Sequence, residues 1–164
     1  MSIRPSCDRF LRNIRCIEIG VGSGSNAMEM LQAMPRALFW FVDSYNIENP
    51  TFQENGRKYS EEEREGFIAN IKEKLNDGRA TLIIEDSAIA SLRFPDKYFD
   101  YIYIDAEHDY DSVRRDIRSW YPKLKVGGLI GGHDVGVGGV RHAITEFFGN
   151  DWISEKEDWY TVKK

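Results

Sequence analysis

Short apolar runs alternate along the chain with longer amphipathic stretches, the pattern of a largely parallel sheet covered by helices on both faces. The first run, Cys16-Ile17-Glu18-Ile19, stops at a glycine cluster, and Met28, Leu31 and Met34 then recur at helical spacing over Ser25–Met34. Met34-Pro35 closes that helix, because a residue before proline avoids the helical region. Ala37–Val42 is apolar throughout, as a strand buried on both faces should be, and ends at Asp43. The polar, irregular stretch Ser44–Tyr59, with Asn46, Asn49, Pro50 and Gly56, predicts a surface loop. Ser60 and Glu63 form a capping box opening a helix whose stripe is Phe67, Ile68, Ile71 and Leu75, and Asn76-Asp77-Gly78 ends it. Thr81–Ile84 predicts a third strand, Tyr98–Ile104 a fourth ending at Asp105, and Tyr110–Tyr121 a helix stopped by Pro122. Gly127-Gly128 turns into a fifth strand, Leu129–Gly132, followed by His133-Asp134. Val140–Phe148 predicts the last helix, and Asp151–Ser154 with Trp159–Val162 a closing pair of strands.

The length of 164 residues and 41% hydrophobic content suffice for one continuous core, and no repeat or low-complexity block divides the chain, so residues 1–164 are expected to form a single domain. The net charge of -5 sets a field that repels a phosphate backbone, which disfavours bulk nucleic acid as a partner. Met1–Arg15 carries Arg4, Arg9, Arg12 and Arg15 without the apolar run of a secretory signal, and no stretch approaches the ~20 apolar residues that span a bilayer. A soluble cytoplasmic protein with no membrane partner is expected. Its two cysteines, Cys7 and Cys16, then read as reduced thiols, Cys16 buried in the first strand.

Chemistry gathers at the strand ends. Glu18-Ile-Gly20-Val-Gly22-Ser-Gly24 lies between a strand and a helix, where glycines permit a tight turn and helix-start amides face a ligand. Asp43 ends the next strand, where a carboxylate can accept hydrogen bonds from ribose hydroxyls. Nicotinamide-binding folds space their glycines G-x-G-x-x-G, whereas the third glycine here comes one place early. Glu18 would repel a pyrophosphate and suits the ammonium of a methionine moiety. These residues resemble the class I S-adenosylmethionine-dependent methyltransferases, whose first motif reads acid-x-Gly-x-Gly-x-Gly, and the resemblance runs from Cys16 to about Phe148.

The resemblance implies a Rossmann-like, doubly wound, mostly parallel sheet of seven strands with the final strand antiparallel. It implies S-adenosylmethionine as cofactor, held by Glu18, Gly20, Gly22, Gly24, Asp43, Ser44, Asp86, Ser87 and Asp105. Asp86 matches the acid that commonly contacts the adenine amino group in the family, and it also suits a helix cap. The segments Ile104-Asp-Ala-Glu-His-Asp-Tyr110 and Gly131-Gly-His-Asp134 look like the macrolide and aminocoumarin sugar O-methyltransferases, and more loosely the catechol type. Those groups hold a divalent metal, so Asp105, His133 and Asp134 match a site for Mg²⁺ or another divalent cation, although histidine is commoner around softer metals. His108, three residues past Asp105, matches the position of the catechol-type basic residue, with Glu107 as the second candidate base.

The implied reaction is methyl transfer to a small acceptor at a hydroxyl oxygen, with Asp105, Glu107 and His108 as catalytic candidates. A non-catalytic nucleoside-binding protein of the same fold and a nicotinamide-dependent oxidoreductase remain open beside it. Extra N-terminal helices often cover the acceptor in the family, and the short stretch before the first strand leaves that site open, or built by Ser44–Tyr59 with a partner subunit of a homo-oligomer. His142 and Glu146 read as a solvated pair, Trp40, Trp120, Trp152 and Trp159 as packing residues, and Arg114, Arg115 and Arg118 as a solvated face.

Overall fold

A computed structural model describes residues 13–45 and 61–164. Cys7, Arg4, Arg9, Arg12, Ser60 of the capping box and almost all of the 44–59 loop lie outside the described residues. The strands are β1 (Arg15–Ile19), β2 (Leu38–Asp43), β3 (Ala80–Ile84), β4 (Phe99–Ile104), β5 (Leu124–Gly132), β6 (Ile153–Glu155) and β7 (Asp158–Val162). The helices are α1 (Ser25–Ala33), α2 (Glu61–Asn76), α3 (Ser87–Ser91), α4 (Tyr110–Trp120) and α5 (Gly138–Phe148). They build one seven-stranded sheet in the order β3-β2-β1-β4-β5-β7-β6. The first five strands run parallel, and β7 is antiparallel to both β5 and β6.

Strand alternation gives each face its own core. Ile17, Ile19, Ile102 and Ile104 point to the side where Val113, Ile117, Trp120, Val140 and Ile144 pack. Cys16, Phe39, Phe41, Tyr101 and Tyr103 point to the other, against Met30, Leu31, Phe67 and Ile71. Helices therefore cover both faces, as the apolar strands predict, and burial of each large apolar side chain contributes about 1.5–3 kcal/mol. Cys16 is a buried free thiol whose pKa is pushed up by burial and by Asp100. No helix among the described residues is long and apolar enough to cross a membrane.

Two elements and two side-chain readings differ from the sequence expectation. The five-residue helix α3 is too short to show a helical period, and it is placed by its Asp86 cap rather than by an apolar stripe. Strand β5 begins at Leu124 and carries Gly127-Gly128 inside it as a bulge: Phe99 pairs with Leu124 but Tyr101 with Leu129, and Gly127 absorbs the extra residues at φ +77°. His142 stacks on Tyr110, with ring centroids 4.5 Å apart, instead of pairing with Glu146. Glu146 is taken by the Tyr110 hydroxyl and by Arg114 at 3.1 Å, so the arginines of α4 clasp α5 and Asp86 rather than simply facing water. Trp120 and Trp159 are fully buried, while Trp152 lies under the Arg141 guanidinium at 5.9 Å.

The chain order reverses direction across the sheet between β1 and β4, the crevice where ligands bind in open parallel sheets. Glu18, Asp43, Asp105 and Asp134 all stand at or just beyond strand ends on that edge.

Candidate functional site

The glycine loop is a braced structure. Gly20, Gly22 and Gly24 have φ of +81°, +52° and +81°. Gly20 is required by packing, because a Cβ there would meet the Asp105 carbonyl oxygen at 2.2 Å, and a Cβ on Gly24 would meet the Phe67 ring at 2.0 Å. Asp43 ties this loop to β2: its Oδ2 accepts the amides of Val21 and Gly22, each at 2.8 Å, and its Oδ1 accepts the amide of Tyr45 at 2.7 Å. A carboxylate has about four acceptor sites, so a hydroxyl can still join these three. Ser44, beside it, is exposed. No side chain caps α1, whose N-cap residue is Gly24.

Glu18 alternates onto the α1 face of β1 and is 1% exposed. Asn26 of α1 donates to its Oε1 at 3.0 Å, while Oε2 is buried without a hydrogen-bond partner among the described residues. Burial raises its pKa well above the ordinary carboxylate range, Asp105 and Asp43 add to that, and only the Asn26 hydrogen bond opposes it. A buried acceptor of this kind calls for a cationic donor.

Beyond β3, Asp86 caps α3 by accepting the Ile89 amide at 3.1 Å and lies 3.3 Å from the Arg115 guanidinium. The Ser87 hydroxyl turns inward and accepts the Trp120 indole N–H at 2.8 Å.

At the ends of β4 and β5, Asp105, His108 and Asp134 converge, one ligand atom from each lying within 4.8 Å of the others. His108 Nε2 is 2.7 Å from Asp134 Oδ2 and 3.9 Å from Asp105 Oδ1. His133 Nδ1 reaches the same Asp134 oxygen at 3.1 Å, yet His133 is not in the converging group. The sequence pattern suggests His133 as the nitrogen beside the two acids, whereas the structure brings His108 there. Asp134 adopts φ +58°, a left-handed conformation that is sparsely populated outside glycine and accumulates at functional sites. Burial works against a charged His133, but the Asp134 hydrogen bond and the carboxylates of Asp105, Asp134 and Asp158 outweigh it and hold its pKa above the ordinary value. Glu107 is not in the converging group, and it accepts the Ser112 hydroxyl at 2.6 Å at the start of α4. Gly139 lets α5 press on this loop, since a Cβ would meet the His108 carbonyl oxygen at 2.6 Å. Two carboxylates and an imidazole form a donor set that fits a divalent cation.

Asp116 is a buried acid on α4 to which the sequence pattern assigns no role. Its signal was an acid on the apolar stripe of α4, between Val113 and Ile117.

Residues 17–135 match a family model described as a methyltransferase domain. No curated protein sequence matches the chain. Among solved structures, a protein of Corynebacterium glutamicum superposes with TM-score 0.66 at 11% identity, covering 90% of this chain and 71% of its own. The SAM-dependent O-methyltransferase of Thermotoga maritima gives TM-score 0.64 at 14% identity, covering 94% of this chain and 61% of its own. The MycE methyltransferase of the mycinamycin biosynthetic pathway, solved with Mg, SAH and mycinamycin VI, gives 0.62 at 16% identity, covering 96% of this chain and 46% of its own. The chain thus spans less than two thirds of the last two proteins. At these identities the likeness establishes the fold, which agrees with the Rossmann-like sheet expected from the sequence. The family match covers well over half of the chain, and the protein belongs to the methyltransferase-domain family.

Proposed function

We propose that the protein transfers the methyl group of S-adenosylmethionine to a hydroxyl oxygen of a small acceptor, with His108 as the base. The observation that carries this reading is the His108–Asp134 pair at 2.7 Å beside Asp105. A base held by an orienting carboxylate is the arrangement proton abstraction requires. Asp134, 2.7 Å from Nε2, favours the imidazolium that forms when His108 takes the acceptor proton. The acceptor oxygen then forms the new C–O bond as the methyl–sulfur bond breaks, and that bond's electron pair returns to sulfur, leaving S-adenosylhomocysteine. Glu18 holds the ammonium, Asp43 offers its remaining acceptor site to the ribose, and Asp86 and Ser87 frame the adenine. The first two placements are supported by the unpartnered Glu18 oxygen and by the Asp43 acceptor count.

Asp105 and Asp134, with His108 or His133, would hold a divalent cation. Bound there, it would supply a Lewis acid that lowers the pKa of the acceptor hydroxyl. The MycE structure, with its Mg, supports this by fold likeness. The imidazoles admit Mn²⁺ or Zn²⁺ as well as Mg²⁺.

Release of S-adenosylhomocysteine from a panel of small hydroxylated acceptors tests the reading. His108→Gln is expected to slow turnover about 10²–10⁴-fold, with S-adenosylmethionine affinity retained. Chelation is expected to abolish turnover if the cation orients the acceptor. Turnover that survives both treatments would overturn the assignment and leave proximity alone.

A further inference from the structure

A buried acid stands beside the site, where β7 runs antiparallel past the end of β5. Gly131 of β5 pairs with Tyr103 of β4 on one side and with Tyr160 of β7 on the other. Strand alternation therefore puts Tyr103, Gly131 and Asp158 on one face of the sheet, and His133 meets them just past the end of β5. Gly131 is required by packing, because a Cβ there would meet the Trp159 carbonyl oxygen at 2.6 Å. Its place also leaves β5 without a side chain between Tyr103 and Asp158. The Tyr103 hydroxyl crosses that gap and donates to Asp158 Oδ1 at 2.9 Å. Asp158 is 6% exposed, and the ring that reaches it is as deeply buried. The same Oδ1 lies 4.0 Å from His133 Nε2, and His133 Nδ1 lies 3.1 Å from Asp134 Oδ2. The His133 ring thus stands between two carboxylates, one in the sheet and one in the site. The backbone holds the same spacing, since the Val135 amide donates to the Glu157 carbonyl at 3.0 Å and the His133 amide to the Ile104 carbonyl at 3.2 Å.

We propose that Asp158, anchored by Tyr103, is a positioning residue that holds His133 against Asp134, so that His133 braces the Asp134 carboxylate toward His108 instead of serving as a ligand or base. The inference rests on the reading of Asp105, His108 and Asp134 as the reacting centre. Asp134 Oδ2 lies 2.7 Å from His108 Nε2 and 3.1 Å from His133 Nδ1, so one oxygen is fixed from two directions. A left-handed aspartate at φ +58° persists only where its surroundings over-determine it, and the clamp from β7 provides part of that constraint. The roles match the geometry, in which His108 and not His133 converges with Asp105 and Asp134. An apolar side chain would pack at the start of β7 at lower cost than a buried carboxylate, so an acid facing His133 there has a role beyond stability.

The chain has three histidines, so ring-nitrogen NMR of the full chain follows each imidazole separately. Asp158→Asn keeps an acceptor for the Tyr103 hydroxyl and removes the charge facing His133, whereas Tyr103→Phe keeps the charge and removes its anchor. Each variant is expected to shift the ring resonances of His133 and, through Asp134, those of His108, and to leave His142 on α5 unmoved. Turnover of a hydroxylated acceptor should fall about 10–100-fold in kcat for Asp158→Asn, because the base is misplaced. The KM for S-adenosylmethionine should stay within about twofold, which separates this effect from damage to the cofactor site. The double variant should be no slower than Asp158→Asn alone, since Tyr103 acts through Asp158. A merely structural acid would lower the melting temperature without moving the His108 ring or kcat. Parent-like His133 and His108 resonances in Asp158→Asn, or parent-like kcat in that variant, would overturn the assignment. If Asp158→Asn does not fold, parent-like His133 resonances in Tyr103→Phe overturn it instead. A parent that methylates no hydroxyl fails differently: it overturns the reading of the centre and the purpose of the clamp, while the ring shifts, which need no acceptor, report the clamp itself.

Discussion

Asp43 braces the glycine loop and, in the proposed function, also receives the ribose, and the two roles are separable. Hydrogen bonds to a charged group are worth about 1.5–3 kcal/mol each, and Asp43 makes three of them to the backbone of Val21, Gly22 and Tyr45. Asp43→Ala should therefore lower the melting temperature of the free protein and loosen S-adenosylmethionine by about tenfold or more. Calorimetry giving an affinity within twofold of the parent would remove Asp43 from the site. Asp86 is divided differently, since Asn caps a helix about as well as Asp. Asp86→Asn should leave stability nearly unchanged, and any loss of affinity then reports a charge-dependent ligand contact. At this scale the sequence showed which residues stand at strand ends, because strand breaks are visible as glycine or acid after an apolar run. It did not show which imidazole meets Asp105. That depends on the left-handed backbone of Asp134, which turns its carboxylate toward both His108 and His133, and no residue type announces a positive φ at an aspartate.

Among the elements, the contact between the β1 loop and the end of β4 is the tightest constraint on the site. Gly20→Ala would place a Cβ 2.2 Å from the Asp105 carbonyl oxygen at φ +81°. Gly127→Ala in the β5 bulge meets the same backbone penalty at φ +77° with nothing within 4 Å of the new carbon. The left-handed conformation costs about 1–2 kcal/mol in either case, and overpacking adds about 1–3 kcal/mol to Gly20→Ala alone. Chemical denaturation should rank the two variants in that order, and equal midpoints would mean that the loop moves freely away from β4. The strands of the parallel sheet were legible because burial on both faces makes them apolar throughout, as in Leu38–Val42. What stayed hidden was short or irregular. Helix α3 spans one turn, and the β5 bulge reads as an interstrand turn because Gly127-Gly128 favours both.

For the whole molecule, proton binding by buried groups sets how stability follows pH. Glu18 and Asp116 have folded-state pKa values raised by burial, Asp116 to about 6, so near pH 5 the folded chain holds protons that the unfolded chain has released. Stability therefore rises as pH falls through that range toward the ordinary carboxylate values. His133, also raised, contributes stability that is complete below about 6.5 and lost as pH climbs through its folded value. All three act in one direction between pH 8 and 5.5. The carboxylates held below their ordinary range, Asp96, Asp109 and Glu146, lose their contribution only at lower pH. The melting temperature of the free protein should accordingly rise from pH 8 to 5.5 and fall again below about 4. Asp116→Asn should flatten part of the rise. S-adenosylhomocysteine should act oppositely if its ammonium pairs with an ionised Glu18 as proposed, because that pairing releases the proton that burial retains. Its stabilising effect at saturating concentration should be larger at pH 8 than at 5.5. Scanning calorimetry of free and bound protein across that range measures both slopes, and a ligand-induced shift that grows on acidification would show that Glu18 does not meet the ammonium.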